Sequence, residues 1–78
     1  MQRTIIPGVV DGHQALSRLG PDVTALDAAR TMHERRIGAV MIVEDGRLVG
    51  IVTERDLVFR LVAAGLDPAS TRLGQIMP

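Results

Sequence analysis

Apolar residues along the chain follow two different spacings, and these spacings predict the elements of the fold. The continuous apolar run at residues 37–43 is typical of a β-strand covered on both faces. Residues 48–52 form a second apolar run, and Asp45-Gly46 between the two runs is a strong signal for a tight hairpin turn. We therefore expect the second run to pair with the first as an antiparallel strand.

Helical spacing appears in two other segments. Residues 25–32 place four apolar side chains at i, i+3, i+4 and i+7, and Thr24 with Asp27 has the spacing of a capping box at the helix start. A second helix is predicted to begin at Glu54 and to end at Gly65, which stands in a C′-like position.

Residues 14–19 are a weaker strand candidate, and residues 1–13 are predicted to form an N-terminal arm that is irregular or contains a short strand. The predicted order is therefore strand, helix, strand, strand, helix. This order indicates an α+β domain in which a small mixed three-stranded sheet packs against two helices.

The junction between the last strand and the second helix has two interpretations. The free N–H groups of the first helical turn and the Thr53 hydroxyl could bind a phosphate, and the Asp56 carboxylate could accept both hydroxyls of a ribose. Alternatively, Thr53 and Asp56 form only a capping box, with no ligand. An Asp56 carboxylate that bonds back to Thr53 and is covered favours the cap, whereas one in an open groove lined by Ile37 and Ile51 favours the ligand.

Composition narrows the possible functions. At 78 residues the chain forms at most one domain, and chains of this size bury only about 60% of their unfolded surface, so association is expected to supplement the core. Phe59 is the only aromatic residue and the formal net charge is +0, which argues against nucleic acid as a partner. Because cysteine is absent, disulfides and thiolate metal sites are excluded.

The sequence lacks recognisable signals for membrane insertion, for secretion and for catalysis. No apolar run is long enough for a membrane span and no signal peptide is recognisable, so we expect a cytoplasmic protein without a membrane partner. His13 and His33 are the only histidines, and neither has a neighbour at a spacing typical of a catalytic triad or a metal site. We expect no catalytic residue, no metal ligand and no enzymatic activity.

Four sequence patterns follow one another in a fixed order over residues 14–65. They are Pro21-Asp22-Val23-Thr24 before Asp27-Ala28-Ala29, then Ile37-Gly38-Ala39-Val40-Met41-Ile42-Val43, then Asp45-Gly46-Arg47-Leu48-Val49-Gly50, and last Thr53-Glu54-Arg55-Asp56. Together they resemble the CBS domain, named after cystathionine β-synthase, with its β-α-β-β-α order. The resemblance assigns residues 14–68 to one CBS motif, and residues 69–78 look like the lead-in to a second motif that is missing here.

Two such motifs pair about a pseudo-twofold axis in this family, forming a Bateman module with nucleotide clefts between the motifs. The resemblance therefore implies a partner, either a second copy in a homodimer or a second CBS motif. We expect Leu61, on the second helix, to lie at the contact between copies. The effector domain that would receive the signal is unknown.

The resemblance also implies the residues of the ligand site. Thr53 would contact phosphate or ribose, and Asp56 the ribose hydroxyls. Some nucleotide-binding members carry basic residues at the entry to the second strand, where this chain has Gly38 and Ala39, so Arg55 or the arginines at 35–36 would have to replace them. The complete predicted set is Leu16, Ser17, Ile37, Gly38, Ala39, Ile51, Thr53, Arg55 and Asp56.

The function implied by the resemblance is non-catalytic regulation. The module would need no cofactor and would sense an adenosine-type ligand, namely AMP, ADP, ATP, NAD or S-adenosylmethionine. The alternative is a purely structural dimerisation or interaction module that binds no ligand.

Overall fold

The computed structural model describes residues 17–78, so Leu16, the predicted arm and the first residues of the first predicted strand lie outside the described residues. The elements are β1 (Ser17–Leu19), α1 (Ala25–Arg35), β2 (Ala39–Glu44), β3 (Arg47–Thr53), α2 (Glu54–Asp56), a π-helical segment (Leu57–Val62) and α3 (Leu73–Ile76). The predicted α+β class and the order of strands and helices are confirmed.

The sheet is mixed, with the strand order β1-β2-β3. β1 runs parallel to β2, with Ser17 opposite Val40, and β2 runs antiparallel to β3. Asp45 and Gly46 connect β2 to β3 with φ angles of 53° and 76°. Two consecutive positive φ angles are those of a type I′ turn, so the predicted hairpin is confirmed in its turn geometry as well.

The core is aliphatic and lies between one face of the sheet and the helices. Val40, Ile42 and Val52 project from that face and are completely buried. α1 begins after Thr24, whose side chain accepts a hydrogen bond from the Asp27 N–H at 3.2 Å. Two of the three buried residues of α1 are alanines, whose small side chains permit a close approach to the sheet. The buried residues of the helices are Ala25, Ala28, Met32, Leu57, Leu61, Leu73 and Ile76.

The segment after residue 70 contributes to the same core. Leu73 is completely buried, and its N–H donates to the Val23 carbonyl at 2.9 Å. At the end of the segment, the Met77 sulfur lies 2.9 Å from where a Cβ atom on Gly50 would stand. The glycine at position 50 predicts space for another backbone or a ligand. In the structure the Met77 side chain occupies that space.

The second predicted helix changes its winding after one turn. Residues 57–62 form a π-helix, in which each N–H bonds to the carbonyl five residues earlier rather than four. The Ala63 N–H, for example, bonds to the Val58 carbonyl at 2.8 Å. Leu61 is 3% exposed and belongs to the core, so the expectation that it contacts another copy is wrong. The large apolar side chains exposed on this segment are instead Val58, Phe59 and Val62. Among the helices of residues 17–78, none combines the length and apolar character that a bilayer span requires.

We predict that Leu73→Ala lowers the free energy of unfolding by about 2–5 kcal/mol, because it removes a fully buried side chain and leaves a cavity. Leu66→Ala is the matched control, since Leu66 is 43% exposed, and it should cost much less. Urea unfolding followed by far-ultraviolet circular dichroism measures both. Equal losses in the two variants would show that the last segment does not stabilise the core.

Candidate functional site

One edge of the sheet collects most of the residues predicted to bind ligand. Because β1 and β2 are parallel and β3 is antiparallel to them, the starts of β1 and β2 meet the end of β3 at the same edge. Ala39 pairs with Thr53 there, and Ser17 lies opposite Val40, one step further along β2. Residues separated by up to 36 positions in the sequence thus come together at one edge, next to the start of α2.

The connection between β3 and α2 is also tied to the entry of β2. Glu54 follows the last strand residue directly, and its N–H donates to the Gly38 carbonyl at 2.9 Å. A Cβ atom built on Gly38 would lie 2.7 Å from the Glu54 Oε1 atom. The Glu54 side chain therefore rests against the Gly38 backbone and occupies the space that a larger residue 38 would need.

Thr53 and Asp56 form a complete capping box. The Asp56 N–H donates to the Thr53 hydroxyl oxygen at 3.1 Å, and the Thr53 N–H donates to the Asp56 Oδ2 atom at 2.9 Å. The Asp56 side chain is 16% exposed. The carboxylate thus bonds back to Thr53 and is mostly covered, which is the arrangement expected of a helix cap.

The second carboxylate oxygen of Asp56 faces an arginine. Arg60, four residues later, places its Nε atom 3.4 Å from the Asp56 Oδ1 atom. Sequence reasoning did not include Arg60 in the site, although the i, i+4 spacing between an acid and an arginine was the available signal. A ribose hydroxyl bonded to Oδ1 would therefore displace Arg60, which is partly exposed. The capping-box bonds to Oδ2 would stay intact.

The arginines considered as phosphate ligands differ in their contacts. Arg35 donates from Nη1 to the Ser17 hydroxyl at 2.9 Å and so links the end of α1 to the start of β1. The Arg55 guanidinium carbon lies 5.1 Å from the centroid of the Phe59 ring. Arg36 caps the end of α1 with a φ of 55° and lines the groove beside Gly38.

Several grooves among residues 17–78 border this region. One, of about 600 Å³, lies between the end of α1 and the start of α2 and is lined by Ile37, Gly38 and Glu54 together with residues 32–34 and Arg36. Ile51 does not line it. Ile51 is 42% exposed on the sheet face that points away from the core, where it borders a shallow groove of about 440 Å³ with Leu48, Val49, Gly50 and Pro78. The structure therefore brings seven of the predicted residues to one region and places Ile51 on a neighbouring surface, while Leu16 lies outside the described residues.

Metal binding finds no support in the described part of the chain. Among residues 17–78, no three His, Cys, Asp or Glu side chains are arranged to hold a metal ion. His33 lines the groove beside Glu34 and Glu54, but these three do not form such a set.

Comparisons with known proteins agree with this fold. A family model described as the CBS domain matches residues 15–63. Hypoxic response protein 1 of Mycobacterium tuberculosis is 42% identical over 59 residues, which are 74% of this chain and 41% of that protein.

Two solved structures extend the comparison. One, from Burkholderia ambifaria, contains CBS domains ascribed to signal transduction. It has a TM-score of 0.77 at 31% identity, and the match covers 83% of this chain and 48% of that one. A hexameric CBS-CP12 protein from bloom-forming cyanobacteria has a TM-score of 0.73 at 30% identity, covering 82% and 36% of the two chains. The present chain thus spans less than half the length of each of these three proteins.

We predict that Thr53→Val lowers the free energy of unfolding by about 0.5–2 kcal/mol, because valine keeps the shape of threonine but cannot accept the Asp56 N–H. Thr31→Val is the control, since the Thr31 hydroxyl donates to a carbonyl within α1, at 2.9 Å, and caps no helix. Urea unfolding by circular dichroism compares them. If Thr53→Val lowered the free energy of unfolding by less than Thr31→Val, the capping box would not stabilise the fold.

Proposed function

Because the chain belongs to the CBS-domain family, whose members are regulatory or signalling modules and generally not catalytic, we propose that it senses an adenosine-type ligand. The ligand would be AMP, ADP, ATP, NAD or S-adenosylmethionine. It would bind at the edge of the sheet where Ser17, Ala39 and Thr53 meet, and it would be held without any chemical step. The cytoplasmic location expected from the sequence stays a prediction.

The observation that carries this proposal is the convergence at the sheet edge. Thr53 and Asp56 stand at the first turn of α2, and the groove bordered by Ile37 and Gly38 opens beside that turn. The Asp56 Oδ1 atom is the group best suited to a ribose hydroxyl, because Oδ2 already accepts the Thr53 N–H and hydroxyl. Ligand binding then requires that Arg60 release Oδ1, and the exposed position of Arg60 makes that exchange inexpensive.

A second motif would complete the site. In one chain the groove beside Gly38 is open to solvent, and the sheet face that carries Ile51 has no cover within residues 17–78. A second copy or a second CBS motif placed on that face would cover Ile51, and one that also reached the start of α2 would close the groove. A ligand that contacts both motifs would favour one of their relative orientations, and an attached effector domain would respond to that orientation.

Isothermal titration with adenosine, AMP, ATP, NAD and S-adenosylmethionine tests the proposal, with the mass in solution recorded alongside. We expect saturable binding by at least one of them, and a loss of at least tenfold in affinity for Asp56→Asn, because the amide retains the acceptor for the cap but loses the charge.

Asp27→Asn is the matched control, since Asp27 holds the same position in the first turn of α1 and is exposed. It should bind like the original chain. Equal affinity of the Asp56→Asn variant and the original chain would refute the assignment of Asp56, and the absence of binding by all five compounds would refute the sensor.

The capping box supports a second candidate function, an association module with no ligand. In that case Asp56 only caps the start of α2, and the exposed apolar side chains provide contacts between motifs. Two surfaces are available. The first is the sheet face with Val49 and Ile51, and the second is the π-helical segment with Val58, Phe59 and Val62.

We predict that Val49→Glu reduces the mass in solution to that of a monomer, because it places a charge on the face proposed to pair. Val62→Glu introduces the same charge on the other surface, at a residue that is 68% exposed, and should leave that pairing intact. Light scattering at matched concentrations measures both, with circular dichroism to verify folding. If only Val62→Glu dissociated the chain, the helical surface would be the interface.

A further inference from the structure

The thioether of Met77 is packed against the backbone of β3. Its sulfur lies 2.9 Å from the position that a Cβ atom on Gly50 would take, and its own Cβ and Cγ atoms each lie 3.6 Å from that position. Gly50 is the only residue of β3 without a side chain. The sulfur is therefore in van der Waals contact with the strand, and the contact leaves no space for a further atom on that side of the sulfur.

Met77 is nevertheless only partly buried. The residue before it, Ile76, is 3% exposed and belongs to the core, whereas the residue after it, Pro78, borders the shallow groove along residues 48–51. Gly50 itself lines this groove. A small dissolved oxidant can therefore approach the contact between the sulfur and the strand without unfolding of the core.

The other methionines of residues 17–78 lack this combination of access and confinement. Met32 is 5% exposed and lies within the core. Met41 is partly exposed and pairs with Ile51, on the sheet face that points away from the core. An oxygen atom added to its sulfur can extend into solvent from that face. Met77 is thus the methionine whose oxidation is both accessible and incompatible with the packing around it.

The chemistry of this change is a simple oxygen transfer from hydrogen peroxide. A lone pair of the sulfur attacks one peroxide oxygen and forms the S–O bond while the O–O bond breaks. The hydroxide that leaves takes up the proton of the transferred oxygen and departs as water, so the sulfur is oxidised and the peroxide is reduced. The product, methionine sulfoxide, is a polar group in place of a flexible apolar one.

We infer that Met77 is a site of reversible oxidation, and that its sulfoxide releases residues 76–78 from β3. The bond from the Met77 N–H to the Leu73 carbonyl, at 2.9 Å, and the burial of Ile76 hold this segment in the reduced protein. Both weaken when the side chain leaves Gly50. Two thiols of a reductase reverse the step, because they form a disulfide while the oxygen leaves as water. Neither a ligand nor a second motif is required.

Peroxide treatment of the full chain, followed by peptide mass spectrometry and NMR hydrogen exchange, tests the site. We expect Met77 to gain one oxygen about tenfold faster than Met32, because Met32 is sealed in the core. In the oxidised chain the Met77 amide should exchange with solvent about tenfold faster than before. Treatment with a thiol-dependent methionine sulfoxide reductase should restore the original exchange rate.

Three variants separate this site from its alternatives. Met77→Leu keeps an apolar side chain of similar volume, so peroxide should no longer change the exchange of residue 77. Met41→Leu is the matched control, since it removes the other partly exposed methionine and should leave the response intact. Gly50→Ala places a Cβ atom 2.9 Å from the Met77 sulfur, so it should displace the side chain and give fast exchange without peroxide.

Two results with the original chain would overturn the inference. They are oxidation of Met77 no faster than that of Met32, and an unchanged exchange rate of the Met77 amide once its sulfur is oxidised. A response to peroxide that persisted in Met77→Leu and disappeared in Met41→Leu would also overturn it, because the sensitive sulfur would then lie on the other face of the sheet.

Discussion

Thr53 belongs to a strand and caps a helix at the same time, and the arrangement of the site depends on this double role. Its backbone is extended, with φ −107° and ψ 167°, as both the end of a strand and an N-cap require. No linker therefore separates β3 from α2. Since Glu54 also bonds to Gly38, the entry of β2, the end of β3 and the start of the helix are held as one unit.

The cap and the ligand interpretations of Asp56 concern different atoms. Oδ2 accepts the Thr53 N–H and hydroxyl, and this pair of bonds stabilises the helix start. Oδ1 faces Arg60, at 3.4 Å. A carboxylate fixed on one side is better oriented for a ligand on the other, because less side-chain freedom is lost on binding. The same residue can therefore stabilise the fold and contact a ribose.

The sequence predicts well those features that depend on neighbouring residues. The Asp45-Gly46 turn, the Thr53 and Asp56 box and the positive φ of Gly65 at 73° each follow from residues at most three positions apart. Which apolar stripe of the second helix faces the core is not a local property. Leu57 with Leu61 and Val58 with Val62 have the same i, i+4 spacing, and only packing against α1 and α3 buries the first pair.

Long-range contacts explain the other differences. Met77 reaches Gly50 across 27 positions and Arg35 reaches Ser17 across 18, and neither spacing has a local signature. The aliphatic core has an optical consequence as well. Phe59, which is 57% exposed, is the only aromatic residue, so the protein itself absorbs and fluoresces very weakly in the near ultraviolet. The spectrum of an adenine ring would stand out against such a background, and an adenosine compound retained through purification could be recognised from absorbance alone.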